Sequence, residues 1–214
     1  SIAHMTIFSF HPVKHITTGE GGAVATNNPD YYEKLLKFRS HGIVKERDKL
    51  YEYHGLWSQE MQQMGFNYRL TDIQCALGIS QLRKLDRFLK RRQDLVDLYN
   101  RLLREQDAVR LPGVKGDVLP AWHLYYIRLL GKPALRENVF EELRSRGIGV
   151  QVHYLPVYWH PYYQKLGYQK GLCPEAEAYY QSCMSLPLFP SLSDTEVEKV
   201  ADEVIMALKK HLRS

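Results

Sequence analysis

A glycine-rich turn that carries a lysine between two extended apolar segments constrains the fold most. Residues 5–10 are predicted to form one strand and residues 22–26 a second. Pro12 ends the first strand because proline has no N–H to donate to a ladder, and Lys14 follows at the tip of the turn. The pattern predicts a lysine held on a partly buried turn between two buried strands, beside the hydroxyl group of Ser9.

The lysine suggests covalent chemistry. An amine traps a carbonyl compound only in its uncharged form, which requires burial or neighbouring cations to lower the pKa of a lysine. A short turn between buried strands meets that requirement better than an exposed helix does. The alternative is a solvated lysine in an ordinary hairpin, and the residues alone leave both interpretations open.

The turn also carries a resemblance to a known family. Residues 9–22, Ser-Phe-His-Pro-Val-Lys-His-Ile-Thr-Thr-Gly-Glu-Gly-Gly, resemble the cofactor-lysine segment of the DegT/StrS family. These proteins are fold type I, pyridoxal-phosphate-dependent nucleotide-sugar aminotransferases. Phe-His-Pro-Val-Lys is similar to the branch that aminates a UDP-linked 4-keto-6-deoxy sugar on the way to pseudaminic acid. The resemblance implies an α/β fold, pyridoxal phosphate bound covalently by Lys14, and a cofactor phosphate bound by Ser9.

A second segment, Gly-Phe-Asn-Tyr-Arg-Leu-Thr-Asp at residues 65–72, resembles the Asn-Tyr-Arg motif of the same family. The resemblance implies a homodimer in which Asn67 reaches the cofactor phosphate of the partner subunit, and Arg69 is assigned to the substrate side. Thr71 or Asp72 is predicted to cap the following helix. Without the resemblance, an asparagine that bonds its own loop backbone would be the simpler interpretation.

Residues 153–163 place two histidines among tyrosines and prolines. His153 and His160 have no carboxylate or thiol at the spacing of metal ligands, so we predict no metal site. The order His-Tyr-x-Pro resembles a family segment whose histidine enters the active site. It implies that His153 and Tyr154 lie on the substrate side, and the alternative is a core histidine bonded to backbone.

The remaining pattern predicts two domains. Residues 1–104 are expected to be the latter part of a large cofactor-binding domain, closed by a long amphipathic helix over residues 81–104. Residues 105–214 are expected to form a small carboxy-terminal α/β domain. Its predicted elements are a strand over residues 122–130, a helix over 132–146, a strand over 150–154 and a final helix capped by Ser193. Residues 43–63 predict an irregular surface loop, which is either solvated or a substrate lid.

Composition excludes some classes of protein. The chain has 214 residues, 44% of them hydrophobic, so it is not globally disordered. A net charge of +5 suits a polyanionic small ligand or nucleic acid. The basic face of residues 83–104 is the main argument for nucleic acid, but no aromatic side chains interleave there to stack bases, so we predict no such partner. The three cysteines have no CxxC spacing, which predicts reduced thiols in a cytoplasmic protein. The sequence has no long apolar run, which predicts no membrane segment.

The resemblance implies a ping-pong aminotransferase. We expect an amino group to pass from an amino acid, with glutamate as the expected donor, to the keto carbon of a UDP-linked sugar, and Lys14 to act as general base and acid. A same-family sugar dehydratase, which has histidine at the lysine position, and a nucleic-acid-binding or regulatory protein are the alternatives. In the family the lysine lies near mid-chain. This chain is therefore expected to be the carboxy-terminal portion, inactive without an amino-terminal segment.

Overall fold

The computed structural model describes residues 3–132 and 134–212, which fall into two compact units with bounds Ser1–Leu85 and Asp86–Ser214. The first unit opens with an antiparallel hairpin of β1 (Thr6–Ser9) and β2 (Gly22–Ala25). Both strands were predicted, and the lysine turn lies between them. The remaining positions, 1, 2, 133, 213 and 214, lie outside the described residues, including the part of the predicted 132–146 helix at position 133.

The hairpin is not buried by the residues that the structure describes. Every residue of β1 and β2 is exposed, and Ile7 keeps 79% of its surface open to solvent. Within the described residues the two strands pair only with each other. A two-stranded ladder has too few neighbours to bury both of its faces, so the apolar side chains stay uncovered.

Helix α1 (Pro29–Phe38) follows the hairpin. The Asn28 side-chain oxygen caps it by accepting hydrogen bonds from the amides of Asp30 and Tyr31. At the other end, the amide of Gly42 donates to the carbonyl of Lys37 (2.8 Å) with φ of 71°. This is a left-handed glycine cap.

The 43–63 segment is more ordered than predicted. It contains β3 (Ile43–Val44), a short 3₁₀ turn and β4 (Glu60–Met61), and the two short strands pair with each other. The Glu60 carboxylate accepts hydrogen bonds from the amides of Tyr51 and Glu52, which closes the loop between them. A single side chain that binds two backbone amides across this distance has no signature in the local sequence.

Helix α2 (Asp72–Leu82) begins as predicted, with a reciprocal capping box between Thr71 and Gln74. It ends at Leu82. The amide of Lys84 donates to the carbonyl of Gln81, forming a tight turn, and a separate helix α3 (Leu85–Leu103) starts after it. The single helix predicted over residues 81–104 was therefore wrong at its start.

The second unit is built around an antiparallel sheet. Strand β6 (Tyr125–Leu129) lies between β5 (Val109–Arg110) and β7 (Cys183–Leu186). Helix α3 packs one apolar face into the core of this unit, with Leu95, Val96, Tyr99 and Leu103 fully buried. The other helices of the unit are α4 (Ala134–Ser145), α5 (Pro161–Lys165), α6 (Pro174–Ser182) and α7 (Asp194–His211), with a 3₁₀ turn at Val157–Trp159.

In the second unit one predicted strand is shortened, and helix α3 lies with this unit. The predicted strand over residues 150–154 is reduced to one bridge between Gln151 and Ser185 of β7. Within the described residues, Gln151 is the one position of this segment that exchanges backbone hydrogen bonds with β7. Helix α3, which was predicted to close the first domain, belongs by its contacts to the second unit. The boundary after residue 104 in a complete protein stays a prediction. The final helix has the predicted cap, a box between Ser193 and Glu196.

The described residues include no helix long and apolar enough to cross a membrane. All three cysteines carry free thiols: Cys75 and Cys173 are exposed, and Cys183 is buried.

A carboxylate joins α4 to the end of α7. Glu142 is 9% exposed, and it accepts hydrogen bonds from Lys210 (3.0 Å), His211 (2.6 Å) and Arg146, which also pairs with Glu203. These partners, with Lys210 first, lower the pKa of Glu142 from 4.5 to about 2. Because the folded-state pKa is depressed, this carboxylate stabilises the fold above pH 4.5, and the stabilisation is lost as pH falls toward 2.

We therefore expect Glu142→Gln to reduce the acid sensitivity of the protein. Its urea midpoint should fall less than that of the wild type between pH 5 and pH 2, because the variant has no carboxylate to protonate. Glu141→Gln, at the exposed neighbouring position, is the control and should follow the wild-type curve. Equal acid sensitivity of the Glu142 variant and the wild type would contradict this account.

Candidate functional site

The lysine turn is fixed by its own backbone. The amide of Lys14 donates to the carbonyl of His11 (3.0 Å), and the carbonyl of Phe10 accepts from the amide of Thr18 (3.1 Å) and the hydroxyl of Thr17 (3.0 Å). The lysine itself is half-buried. Its Nζ forms no hydrogen bond or ion pair with any residue that the structure describes. The turn therefore positions an amine that none of the described residues engages.

Ser9 lies at the end of β1, where the turn begins, and pairs with Gly22. Its side chain is exposed. The two strands approach closely here, since a Cβ atom at Gly22 would lie 2.7 Å from the carbonyl oxygen of Phe8. One turn thus carries a primary amine and a hydroxyl group. This donor set fits a ligand that bears an aldehyde and a phosphate.

The turn packs against the start of α2. Thr18 is 4% exposed, and a Cβ atom at Gly21 would lie 2.4 Å from its Oγ1 and 2.7 Å from Cδ2 of Leu70. Gln74 Nε2 donates to the carbonyl of Glu20 (3.0 Å). These contacts tie the lysine turn to the helix that directly follows the predicted Asn-Tyr-Arg motif.

That motif runs beside the end of α1. Asn67 bridges to Ser40, and the amide of Tyr68 donates to the carbonyl of Arg39 (2.9 Å). The Asn67 and Arg69 side chains are exposed and make no hydrogen bond with Lys14 or any other described residue. The structure thus brings Arg69 beside Arg39 and leaves Asn67 without a contact to the lysine of its own chain.

The predicted substrate residues of the second unit lie where the 150–154 segment leaves β7. His153 Nδ1 lies 2.8 Å from the hydroxyl oxygen of Ser185. Burial lowers the pKa of His153, which favours the neutral imidazole. The ring of Tyr154 meets the His153 ring edge to face, with centroids 4.5 Å apart, and Tyr154 stays 73% exposed. A half-buried, oriented imidazole therefore lies beside an open phenol.

Two residues that support this region were missed from the sequence. Ser185 orients His153, as above. Oε1 of Glu177 accepts hydrogen bonds from Tyr158 (2.6 Å), Trp159 (3.2 Å) and the amide of Gly171 (2.5 Å), which fastens the aromatic segment to α6. Neither residue lies in a recognisable motif, and no local pattern marks them.

The basic face of α3, the main feature of the nucleic-acid alternative, is partly used within the protein. Arg91 pairs with Asp194 (2.8 Å) and donates to the carbonyl of Leu192, and Lys90 pairs with Asp94. Arg92 is 3% exposed and donates to three backbone carbonyls. These contacts leave a smaller basic surface than the sequence suggested. The described residues contain no group of three or more metal-ligating side chains.

Comparisons with known proteins bear on the family of this chain. Residues 1–205 match the model of the DegT/DnrJ/EryC1/StrS aminotransferase family. A Campylobacter jejuni protein named UDP-4-amino-4,6-dideoxy-N-acetyl-beta-L-altrosamine transaminase is 39% identical over 98% of this chain and 54% of its own length. The solved aminotransferase PseC of Helicobacter pylori is 34% identical, with a TM-score of 0.87 over 97% of this chain and 54% of its own.

A third relative has a closely similar structure. The putative sugar aminotransferase Spr1654 of Streptococcus pneumoniae, in a form named PMP-form, is 31% identical with a TM-score of 0.90, over 98% of this chain and 54% of its own. The chain thus spans about half the length of the relatives it matches. The predicted α/β fold, part of a fold type I aminotransferase, is confirmed. The chain belongs to the DegT/DnrJ/EryC1/StrS aminotransferase family.

Proposed function

We propose that the full-length protein is a pyridoxal-phosphate-dependent aminotransferase that acts on a UDP-linked 4-keto-6-deoxy sugar. The observation that carries this proposal is Lys14, a half-buried lysine on a rigid turn whose amine has no partner among the described residues, within a segment that matches the family. The relatives named as transaminases of a UDP-linked amino sugar support the substrate class.

The residues of the turn divide the work of holding the cofactor. Lys14 Nζ would bind its aldehyde carbon covalently, and the Ser9 hydroxyl would donate to its phosphate. When bound, the cofactor acts as an electron sink for the carbon that carries the amino group. Once an amino-acid donor, with glutamate as our expectation, displaces Lys14, the free amine of Lys14 would take the proton from the α carbon of the donor as general base. In the second half-reaction it would give a proton, as general acid, to the sugar carbon that receives the amino group.

Substrate binding is proposed for Arg69 in the first unit and, separately, for His153 and Tyr154 in the second. Arg69 would pair with the anionic part of the sugar nucleotide. Tyr154 would offer an exposed phenol, and His153, kept neutral by burial, would act as a hydrogen-bonding group rather than a cation. We also expect the protein to work in the cytoplasm, and the three free thiols agree with a reducing compartment.

The direct test is amino transfer by the full-length protein. The full-length protein should be loaded with pyridoxal phosphate and given glutamate and the UDP-linked keto sugar. Mass spectrometry of the reaction mixture then measures 2-oxoglutarate and the amino sugar. Formation of both products in equal amounts is expected. A loaded protein that converts neither glutamate nor another amino acid while dehydrating the sugar would favour the dehydratase alternative.

We further propose that Asn67 acts in the site of the partner subunit of a homodimer. Its exposed side chain and the lack of a contact with its own Lys14 support this arrangement. In a mixed dimer of Lys14→Ala and Asn67→Ala subunits, one site would carry both changes and the other neither. Random exchange makes half of the dimers mixed, so activity should recover to about a quarter of wild type.

This prediction is measured by mixing the two inactive homodimers under conditions in which subunit exchange is shown by mass spectrometry of isotope-labelled chains. Mixing Lys14→Ala protein with a differently tagged Lys14→Ala protein is the control and should restore nothing. Exchange without recovery would place Asn67 in the site of its own subunit or in none.

A further inference from the structure

The first unit contains a basic cavity of about 590 Å³ that the sequence did not reveal. Its walls come from the end of α1, the β3 region with the loop that follows it, and the arginine of the Asn-Tyr-Arg motif. Five of the lining residues are lysine or arginine and two are glutamate, which leaves an excess of three positive charges. The lysines and arginines are Lys37, Arg39, Lys45, Lys49 and Arg69.

The described residues do not neutralise all of these cations. Lys49 pairs with Glu33 (3.0 Å), and Lys37 donates to Oε1 of Gln62 (3.2 Å). Glu46 is the other acidic residue, and its carboxylate accepts a hydrogen bond from the backbone amide of Lys45. Backbone hydrogen bonds lower the pKa of Glu46. The side chains of Arg39, Lys45 and Arg69 form no hydrogen bond or ion pair with any residue in the described ranges.

The walls of the cavity are held rigidly. The amide of His41 donates to the carbonyl of Phe66 (2.9 Å), and the Arg39 carbonyl accepts from the amide of Tyr68 (2.9 Å). Arg39 and Arg69 therefore lie on adjacent, hydrogen-bonded segments although thirty positions separate them in the sequence. His41 adopts a left-handed conformation (φ of 61°), which non-glycine residues rarely do and which clusters at binding sites.

We infer that this cavity binds the diphosphate group of the nucleotide substrate, with Arg39 and Lys45 as binding residues beside Arg69. Two guanidinium groups and one ammonium group carry enough positive charge to balance the two negative charges of the diphosphate in a UDP-linked sugar, and arginine binds phosphate oxygens in bidentate fashion. A single carboxylate would leave most of this charge unmatched. The volume lies in the range of small-molecule sites. The inference rests on the proposed function, since it names a binding element for the same substrate.

The test measures binding by the full-length protein without an amino donor, so it does not depend on catalysis. The probes are UDP, inorganic pyrophosphate and uridine, and titration calorimetry measures the affinity of the protein for each. Arg39→Gln and Lys45→Gln should each weaken UDP binding at least tenfold and leave uridine binding unchanged, because each removes a charge that only the diphosphate contacts. Pyrophosphate should compete with UDP and lose affinity in the same two variants.

Lys34→Gln is the matched control, since this lysine is exposed on α1 and does not line the cavity. It should bind UDP as the wild type does. Neither Arg39 nor Lys45 has a side-chain partner in the described residues, so their variants should also keep the wild-type melting temperature. Unchanged UDP affinity in both variants would overturn the inference. So would a loss for pyrophosphate alone, because the cavity would then take the free anion rather than the nucleotide.

The outcomes also separate this inference from the proposed function. If the protein transfers amino groups but both variants bind UDP normally, the cavity assignment fails and the function stands. If UDP binding depends on Arg39 and Lys45 but no amine is transferred, the nucleotide site stands and the aminotransferase proposal fails.

Discussion

Replacing Lys14 with alanine in the full-length protein is expected to lower amino transfer by about a thousandfold or more, because both covalent binding of the cofactor and the proton transfer at the substrate carbon are lost. The fold should be unaffected, since the Lys14 side chain has no partner in the described residues and only its backbone amide is bonded, to the carbonyl of His11. Steady-state rates of 2-oxoglutarate release measure the effect.

Two controls make the result specific. Lys34→Ala changes an exposed lysine on α1 and should keep wild-type activity. Lys14→Arg keeps a positive charge but has no amine that reacts with an aldehyde at neutral pH, so it should be as inactive as the alanine variant. A Lys14→Ala protein with more than about a tenth of wild-type turnover would contradict the role given to this residue.

Replacing Arg92 with methionine is expected to lower the stability of the fold far more than replacing an exposed arginine of the same helix. Its Nη1 donates to the carbonyls of Trp122 (3.2 Å), His123 (3.2 Å) and Leu188 (3.0 Å), which lie before β6 and after β7. Methionine would leave these carbonyl groups without their donor in a region where Arg92 is 3% exposed. We expect the free energy of unfolding to fall by about 3 kcal/mol.

Urea denaturation of the full-length protein at pH 7 measures this loss, and Arg101→Met, an exposed position on the same helix, is the control. The control should change stability by less than about 0.5 kcal/mol. Burial lowers the pKa of Arg92, because removing the charged guanidinium group from water costs free energy. If Arg92→Met were as stable as the wild type, that cost would cancel the three hydrogen bonds, and the guanidinium group would not hold the ends of β6 and β7 together.

Local features of the fold could be predicted from the sequence because they depend on neighbouring residues. The capping boxes at Thr71 and Ser193 join residues three positions apart, and the Gly42 cap closes α1 within one turn. The lysine turn follows from Pro12 and the glycines around it. In each case the hydrogen bonds lie within a short segment, so the residue types and their spacing are enough to predict them.

The candidate site was only partly predictable. Lys14, Ser9 and Asn67 were found through motifs, and Lys14 and Ser9 do lie on one turn. Ser185 and Glu177 had no motif, because their roles depend on a strand and a helix that meet residues far away in the sequence. The roles of all these residues in catalysis stay predictions until the variants are measured.

The helix caps, the lysine turn and the family follow from short runs of residues. The exposure of β1 and β2 in this chain, the burial of Arg92 and the position of Arg39 beside Arg69 in one basic cavity follow only from the folded structure. The physical reason is that solvent exposure and the pairing of like charges depend on which distant segments pack together. That packing results from the apolar surface buried across a whole unit, which no local pattern specifies.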